Sequence, residues 1–169
     1  LLQAPDPAPA IAAMRAAGVL PRVLPGSDDR ALAPLVALEK SVHADADACR
    51  RLAVLGGELE SLRLSRANMR KVDLLCNSIG TKPAELGYRH GFSVGLDMLL
   101  VEAASLGQPV DAAALEALRS GGNARVPITA DDLMPTLQGK ELGEALIRLE
   151  TAWIDSGFTL TRDALLSMG

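Results

Sequence analysis

Residues 65–80 read SRANMRKVDLLCNSIG, and this stretch decides the fold class. Ser65 is of a residue type that caps the first turn of a helix, and Gly80 is of a type that ends one. The apolar residues between them recur at spacings of three and four, which brings them to one side of an α-helix. They are Met69, Val72, Leu75 or Cys76, and Ile79. The stretch therefore predicts an amphipathic helix over residues 66–79.

The same helical spacing recurs along most of the chain, whereas the alternation typical of strands is weak. The 169 residues include 29 Leu and 27 Ala, which both favour helices. We therefore expect an all-α array of eight or nine short helices without a substantial sheet. The predicted helices cover about residues 6–17, 29–42, 47–55, 66–79, 81–85, 92–106, 112–118 and 140–154, with a last helix after Thr161. Residues 120–123, Ser-Gly-Gly-Asn, have the composition of a flexible linker. They separate a predicted body, residues 1–119, from a predicted tail, residues 124–169.

Composition excludes several classes of protein. The two cysteines, Cys49 and Cys76, are far apart, which argues against a disulfide framework or a zinc ribbon and favours a reducing, cytoplasmic compartment. No apolar run approaches the roughly 18 residues of a membrane span, so no membrane partner is expected. Four aromatic residues are too few for a protein that stacks nucleic-acid bases on aromatic platforms.

Two short patterns resemble catalytic or metal-binding motifs, and neither has the context that such motifs need. Gly26-Ser27 precedes Asp45-Ala46-Asp47, but the segment between them is predicted to be helical, whereas metal-binding carboxylates of this kind sit on adjacent strands. His43, Asp45 and Asp47 alternate as ligands on a strand would, and no second cluster completes a site. We read both as turns and helix starts, and we predict no catalytic residue and no metal site.

Charge is unevenly distributed along this acidic chain. The net charge is −4, yet residues 61–90 hold six basic and two acidic side chains. Arg66 and Arg70 share a helix face, Lys71 lies beside them, and Lys82 and Arg89 follow. A basic stripe on a helix can follow a phosphate backbone, and it can equally be an ordinary solvated face.

A second candidate anion site is Gln138-Gly139-Lys140, where a helix is predicted to begin. Free backbone N–H groups at a helix start suit a phosphate, and Lys140 adds positive charge. An inter-helix turn with an exposed lysine explains the same residues.

The last third of the chain carries a recognisable pattern. Residues 125–133 read RVPITADDL and residues 138–146 read QGKELGEAL, followed by a Trp at 153, Gly-Phe at 157–158 and Leu-Leu at 165–166. This pattern resembles the C-terminal end of the bacterial class II tRNA nucleotidyltransferases, the family of CCA-adding enzymes and poly(A) polymerases. Ala130 and Lys140-Glu141 depart from the family pattern. Residues 1–20 are similar to the junction that follows the family's neck helix, and Leu64-Ser65-Arg66 with Lys71 to a helix start in its body.

The resemblance implies a division of labour within a larger enzyme. The family adds C, C and A to tRNA 3′ ends from CTP and ATP with two Mg²⁺ ions, in an N-terminal head and neck that this chain does not contain. The chain begins with Leu1 rather than Met, and its first residues read as the tail of a helix, so we expect a fragment. The fragment alone is expected to be inactive and to bind no cofactor. The choice between CCA, partial CCA and poly(A) addition would reside in the neck.

The remaining body and tail are expected to bind tRNA along the acceptor stem and T arm, through backbone and shape recognition of the A-form helix. Their partners would be tRNA and the enzyme's own head and neck. Charge and placement select the candidate RNA-binding residues, which are Arg66, Arg70, Lys71, Lys82, Arg89, Gly139 and Lys140. The alternative function is a non-enzymatic helical module that binds a protein partner through an exposed apolar patch.

Overall fold

A computed structural model describes residues 1–134 and 136–168, and these residues form nine α-helices and no strand. The expected all-α array is confirmed. The helices are α1 (Ala8–Ala16), α2 (Leu20–Val23), α3 (Leu32–Ser41), α4 (Ala48–Leu55), α5 (Arg66–Cys76), α6 (Pro83–Leu106), α7 (Ala112–Asn123), α8 (Gly139–Asp155) and α9 (Arg162–Leu166). Two 3₁₀ turns, Leu59–Leu62 and Ala130–Asp132, lie between them. Among the described helices, none combines the length and apolar character needed to cross a membrane.

Short polar side chains set the starts of several helices. Each accepts a hydrogen bond from the backbone N–H three residues further on, which satisfies one of the donors that a helix start leaves free. The accepting side chains are Asp47 on α4, Ser65 on α5, Asp111 on α7 and Thr161 on α9. These caps explain why the observed starts of α4, α5 and α7 agree with the predicted ones.

Helix α6 joins two segments that the sequence analysis separated. The predicted short helix of residues 81–85 and the longer helix of residues 92–106 are parts of one element. Lys82 is extended before Pro83, as a residue before proline prefers, and the helix then runs to a break at Gly91, where φ is 74° and ψ is 170°. The first segment therefore points in a different direction from the second.

The predicted flexible linker at residues 120–123 is wrong. These residues are the last turn of α7, and Gly121 is buried against α6. A Cβ atom on Gly121 would lie 1.9 Å from the carbonyl oxygen of Ala84, and one on Gly87 would lie 1.9 Å from that of Leu118. The glycines are therefore required by the close approach of two helix backbones and do not mark a mobile segment.

Two clusters of buried apolar side chains stabilise the fold. The first is built from α1 to α7 and includes Leu35, Leu75, Met98, Leu100 and Leu118. The second consists of Ile128, Leu133, Ala145, Leu149, Trp153, Ile154 and Leu165. Tyr88 of α6 packs against the second cluster. The centre of its ring lies 5.4 Å from the ring centre of Trp153 and 5.8 Å from that of Phe158. Through Tyr88, the first part of α6 therefore packs against the second cluster, which is built from residues 128–165.

Candidate nucleic-acid interface

The start of α5 presents three arginines to solvent. Arg66 and Arg70 lie one helical turn apart on α5, and Arg63 precedes the Ser65 cap in a left-handed conformation with φ of 48°. All three are exposed, and within the described part of the chain none has a carboxylate oxygen within 4.0 Å of its guanidinium. We call these three residues the α5 arginine group. The sequence analysis selected two of them and did not select Arg63.

The local electrostatics concentrate positive potential at this group. Residues 61–72 contain no acidic side chain, and the first turn of α5 has none. The positive end of the helix dipole points at the same place, so a cation such as Arg66 in the first turn lowers helix stability by about 0.3–1 kcal/mol. A bound phosphate would relieve this repulsion, because it carries the opposite charge.

Lys71, the next candidate, is already bound within the protein. Its ammonium donates to a carboxylate oxygen of Asp47 at 2.7 Å and lies 2.9 Å from one of Asp97. Burial disfavours the charged amine, but the hydrogen bonds to these carboxylates outweigh burial and raise the pKa of Lys71 above its usual range. A phosphate would have to compete with two carboxylates for this ammonium.

The next two candidates, Lys82 just before α6 and Arg89 within it, are exposed and have weaker partners. The Lys82 ammonium is 3.8 Å from a carboxylate oxygen of Asp155, at the end of α8. The Arg89 guanidinium donates to Glu85 one turn earlier at 2.7 Å, and chiefly this hydrogen bond raises the pKa of Arg89. Exposed pairs of this kind contribute at most about 1 kcal/mol, so neither prevents contact with an anion.

The last two candidates begin α8. Gly139 has a φ of +57°, Gln138 provides no side-chain cap, and the Lys140 ammonium lies 3.5 Å from a carboxylate oxygen of Glu144. Lys140 and Asp155 are separated along α8 by about 22 Å, at 1.5 Å per residue. Since Lys82 is near Asp155, it and Lys140 mark opposite ends of α8. The seven predicted residues therefore occupy three helices and do not form one compact site.

Sequence reasoning missed a buried ionic cluster that consists of Glu39, Asp47, Arg50, Arg51, Lys71 and Asp97. The Glu39 carboxylate accepts from Arg50 at 2.8 and 3.0 Å and from Arg51 at 2.7 and 3.1 Å, and all three side chains are at most 3% exposed. Arg50 also bonds to Asp97, which continues the cluster to Lys71. Three carboxylates face three cations, so the cluster is electrically balanced.

The same cluster fixes the first residues of the chain. The Arg51 guanidinium donates to the backbone carbonyls of Leu2 and Ala4. Without Arg51, these carbonyls would need water as their hydrogen-bond partner. The signal that could have indicated burial is the spacing within α4, since Arg50 and Arg51 precede the buried Val54 and Leu55 by one turn each. Arginine side chains are usually exposed, so the charges of these two residues argue against burial when only the sequence is considered.

The two motif candidates of the sequence have structural roles or no partner. Asp47 accepts the Arg50 backbone N–H at 2.8 Å as the cap of α4 and also binds Lys71. The hydroxyl oxygen of Ser27 is buried and has no hydrogen-bond partner among the described residues. Across residues 1–134 and 136–168, no three His, Cys, Asp or Glu side chains are arranged to hold a metal ion.

Comparison of the chain with protein-family models, curated proteins and solved structures yields no match.

Proposed function

We propose that this chain is the tRNA-binding C-terminal region of a tRNA nucleotidyltransferase that adds CCA or poly(A) to RNA 3′ ends. The observation that carries the proposal is the α5 arginine group, three exposed guanidiniums that have no carboxylate partner among the described residues of an acidic chain. The pattern of residues 125–166 and the all-α fold are consistent with it. The Mg²⁺ ions, CTP and ATP of the reaction would bind a catalytic head outside this chain.

The expected mode of recognition is contact with the RNA backbone. Arginine forks pair with phosphate oxygens, and the wide minor groove of an A-form helix offers 2′-hydroxyls to shallow contacts. The aromatic residues are too few, and three of them pack too closely on one another, to stack a run of successive bases. The rings of Tyr88, Trp153 and Phe158 pack on one another, and the Arg119 guanidinium covers Phe92 at 5.3 Å from the ring centre.

A binding titration tests the α5 arginine group. We expect a triple variant, Arg63→Ala, Arg66→Ala and Arg70→Ala, to weaken binding of a hairpin RNA that reproduces an acceptor stem and T arm. At about 0.7–0.9 per phosphate contact, the slope of log affinity against log salt should fall by about 2 to 3. The measurement is fluorescence anisotropy of labelled RNA over a series of salt concentrations.

The matched control is the double variant Arg15→Ala and Arg30→Ala. These arginines are also exposed, but their guanidiniums bind Asp29 and Asp28. The control should leave the salt slope nearly unchanged. An unchanged affinity and slope in the triple variant would refute the assignment of this surface to RNA.

A second assay addresses the division of labour. The chain alone, incubated with RNA, CTP, ATP and Mg²⁺, is expected to incorporate no nucleotide. Incorporation of labelled nucleotide would contradict the placement of the chemistry in a separate head.

A further inference from the structure

An open groove lies at the junction of α7 and the end of α8 and is large enough to hold a small molecule. It has a volume of about 640 Å³, within the range of about 300–1,000 Å³ that is usual for ligand pockets. One wall is the last two turns of α7, and the other is the end of α8 with the turn that follows it. None of its residues belongs to the α5 arginine group.

The charged residues of the groove favour an anion. Arg119, Arg125 and Glu116 line it, and Glu116 is 2.9 Å from the Arg119 guanidinium. One terminal nitrogen of Arg125 donates to the backbone carbonyl of Ala124 at 2.6 Å, and no carboxylate among the described residues lies within 4.0 Å of its guanidinium. With two arginines and one glutamate, the lining of the groove has a net charge of +1. The Arg125 guanidinium has further N–H groups that can donate to a ligand.

The rest of the lining is suited to a flat, polar ring. Ser120 and Asn123 are three residues apart and supply a hydroxyl and an amide from the same face of α7. Phe158, which is half-buried, supplies aromatic surface, and its ring centre lies 4.8 Å from that of the buried Trp153. Phe158 holds a left-handed backbone with φ of 64°, which is rare for a bulky side chain and concentrates at functional sites.

We infer that this groove binds a phosphate ester that carries a flat ring, the chemistry of a nucleoside monophosphate. The phosphate would pair with the fork of Arg125, which matches its oxygens, while Arg119 beside it adds positive charge, and the ring would lie against Phe158. Such a group could come from a free mononucleotide or from an unpaired nucleotide of an RNA. The inference does not depend on the proposed function, because the groove and the α5 arginine group share no residue.

The only tryptophan of the chain, Trp153, is buried beside the groove, so its fluorescence is sensitive to changes there. We expect AMP to change the Trp153 fluorescence saturably and to bind with matching affinity in isothermal titration calorimetry. Adenosine and inorganic phosphate, which each lack one half of the ligand, should bind at least about tenfold more weakly. Arg125→Gln should weaken AMP binding by about tenfold or more, and circular dichroism verifies that this exposed substitution leaves the fold intact.

The control variant is Arg148→Gln, which alters an exposed arginine of α8 that does not line the groove. It should leave AMP affinity unchanged. The inference is overturned if AMP does not bind, if adenosine or phosphate binds as tightly as AMP, or if Arg125→Gln has no more effect than Arg148→Gln.

Two RNA hairpins distinguish the possible sources of the nucleotide. If an unpaired RNA nucleotide occupies the groove, a hairpin with a single-stranded 3′ end should bind more tightly than a blunt one, and Arg125→Gln should remove the difference. If a free mononucleotide occupies it, the two hairpins should bind alike while AMP still binds.

Discussion

Replacement of Glu39 by Gln tests whether the buried ionic cluster governs the stability of the fold. The Glu39 carboxylate accepts four hydrogen bonds from two guanidiniums that are almost fully buried. Gln has one acceptor oxygen, and its amide group would point two donors at groups that can only donate. The variant therefore leaves buried positive charge that only Asp97 and backbone carbonyls offset.

The expected cost follows from this geometry. Removal of one partner from a buried pair costs about 3–5 kcal/mol, because the remaining charge stays out of contact with water. A domain of this length shifts its melting temperature by about 2–4 °C per kcal/mol, so we expect a decrease of about 6–20 °C. Urea unfolding followed by circular dichroism measures the free energy of unfolding, and a thermal scan measures the temperature.

Glu144→Gln on α8 is the matched control. Its carboxylate is exposed and lies 3.5 Å from the Lys140 ammonium, so its loss should cost less than about 1 kcal/mol. If Glu39→Gln costs no more than Glu144→Gln, the cluster does not stabilise the fold as argued.

Three further predictions concern helix packing and titration. Gly121→Ala should lower the free energy of unfolding by about 2 kcal/mol or more, because its Cβ would meet a backbone carbonyl. The control Gly143→Ala, whose Cβ would lie in open space, should raise the free energy of unfolding by about 1 kcal/mol. Equal effects of the two substitutions in urea unfolding would contradict the close packing at Gly121. Burial opposes ionisation of Asp47, but hydrogen bonds from Lys71 and a backbone N–H outweigh burial and lower its pKa below 3.8. The stabilisation is thus present above pH 3.8 and is lost as the pH falls through the folded-state pKa, so the urea midpoints of the wild type and Asp47→Asn should converge in acid. Burial and the hydrogen bond to the Glu150 carboxylate raise the pKa of Tyr88, the single tyrosine, to about 12. Spectrophotometric titration should therefore give a midpoint near 12 in the folded protein and near 10 in urea. The same midpoint in both states would refute the buried contact.

Local chemistry is sufficient for much of the helical architecture. Ser65 and Asp111 begin their helices as predicted, since a capping side chain bonds to a backbone group only three residues away. The apolar spacing of residues 140–154 likewise predicts the buried face of α8, on which Leu149 and Trp153 are buried. Such features depend on neighbours within one or two turns, and these are visible in the sequence.

The candidate sites were predicted less completely. Arg66 and Arg70 were selected by charge, and they are exposed with no carboxylate partner in the part of the chain that the structure describes. Lys71 was selected by the same criterion but is bound by two carboxylates. One of these, Asp97, is 26 residues away on another helix, so no local pattern links the two. The groove beside Trp153 was not predicted, because its two walls come from helices whose contact depends on the packing of the chain.

The sequence by itself determined that the chain is helical, where most helices begin, and which segment is basic. Tertiary structure alone decided that Arg50 and Arg51 are buried, that Gly121 lies in a helix contact, and that three of the four aromatic residues meet. The physical reason is the distance along the sequence over which each kind of interaction acts. Capping and helix periodicity act over three or four residues, whereas burial, charge pairing and close backbone contact depend on which distant segments become neighbours. The structural role of a charged residue or a glycine therefore depends on which residues lie next to it in the folded chain.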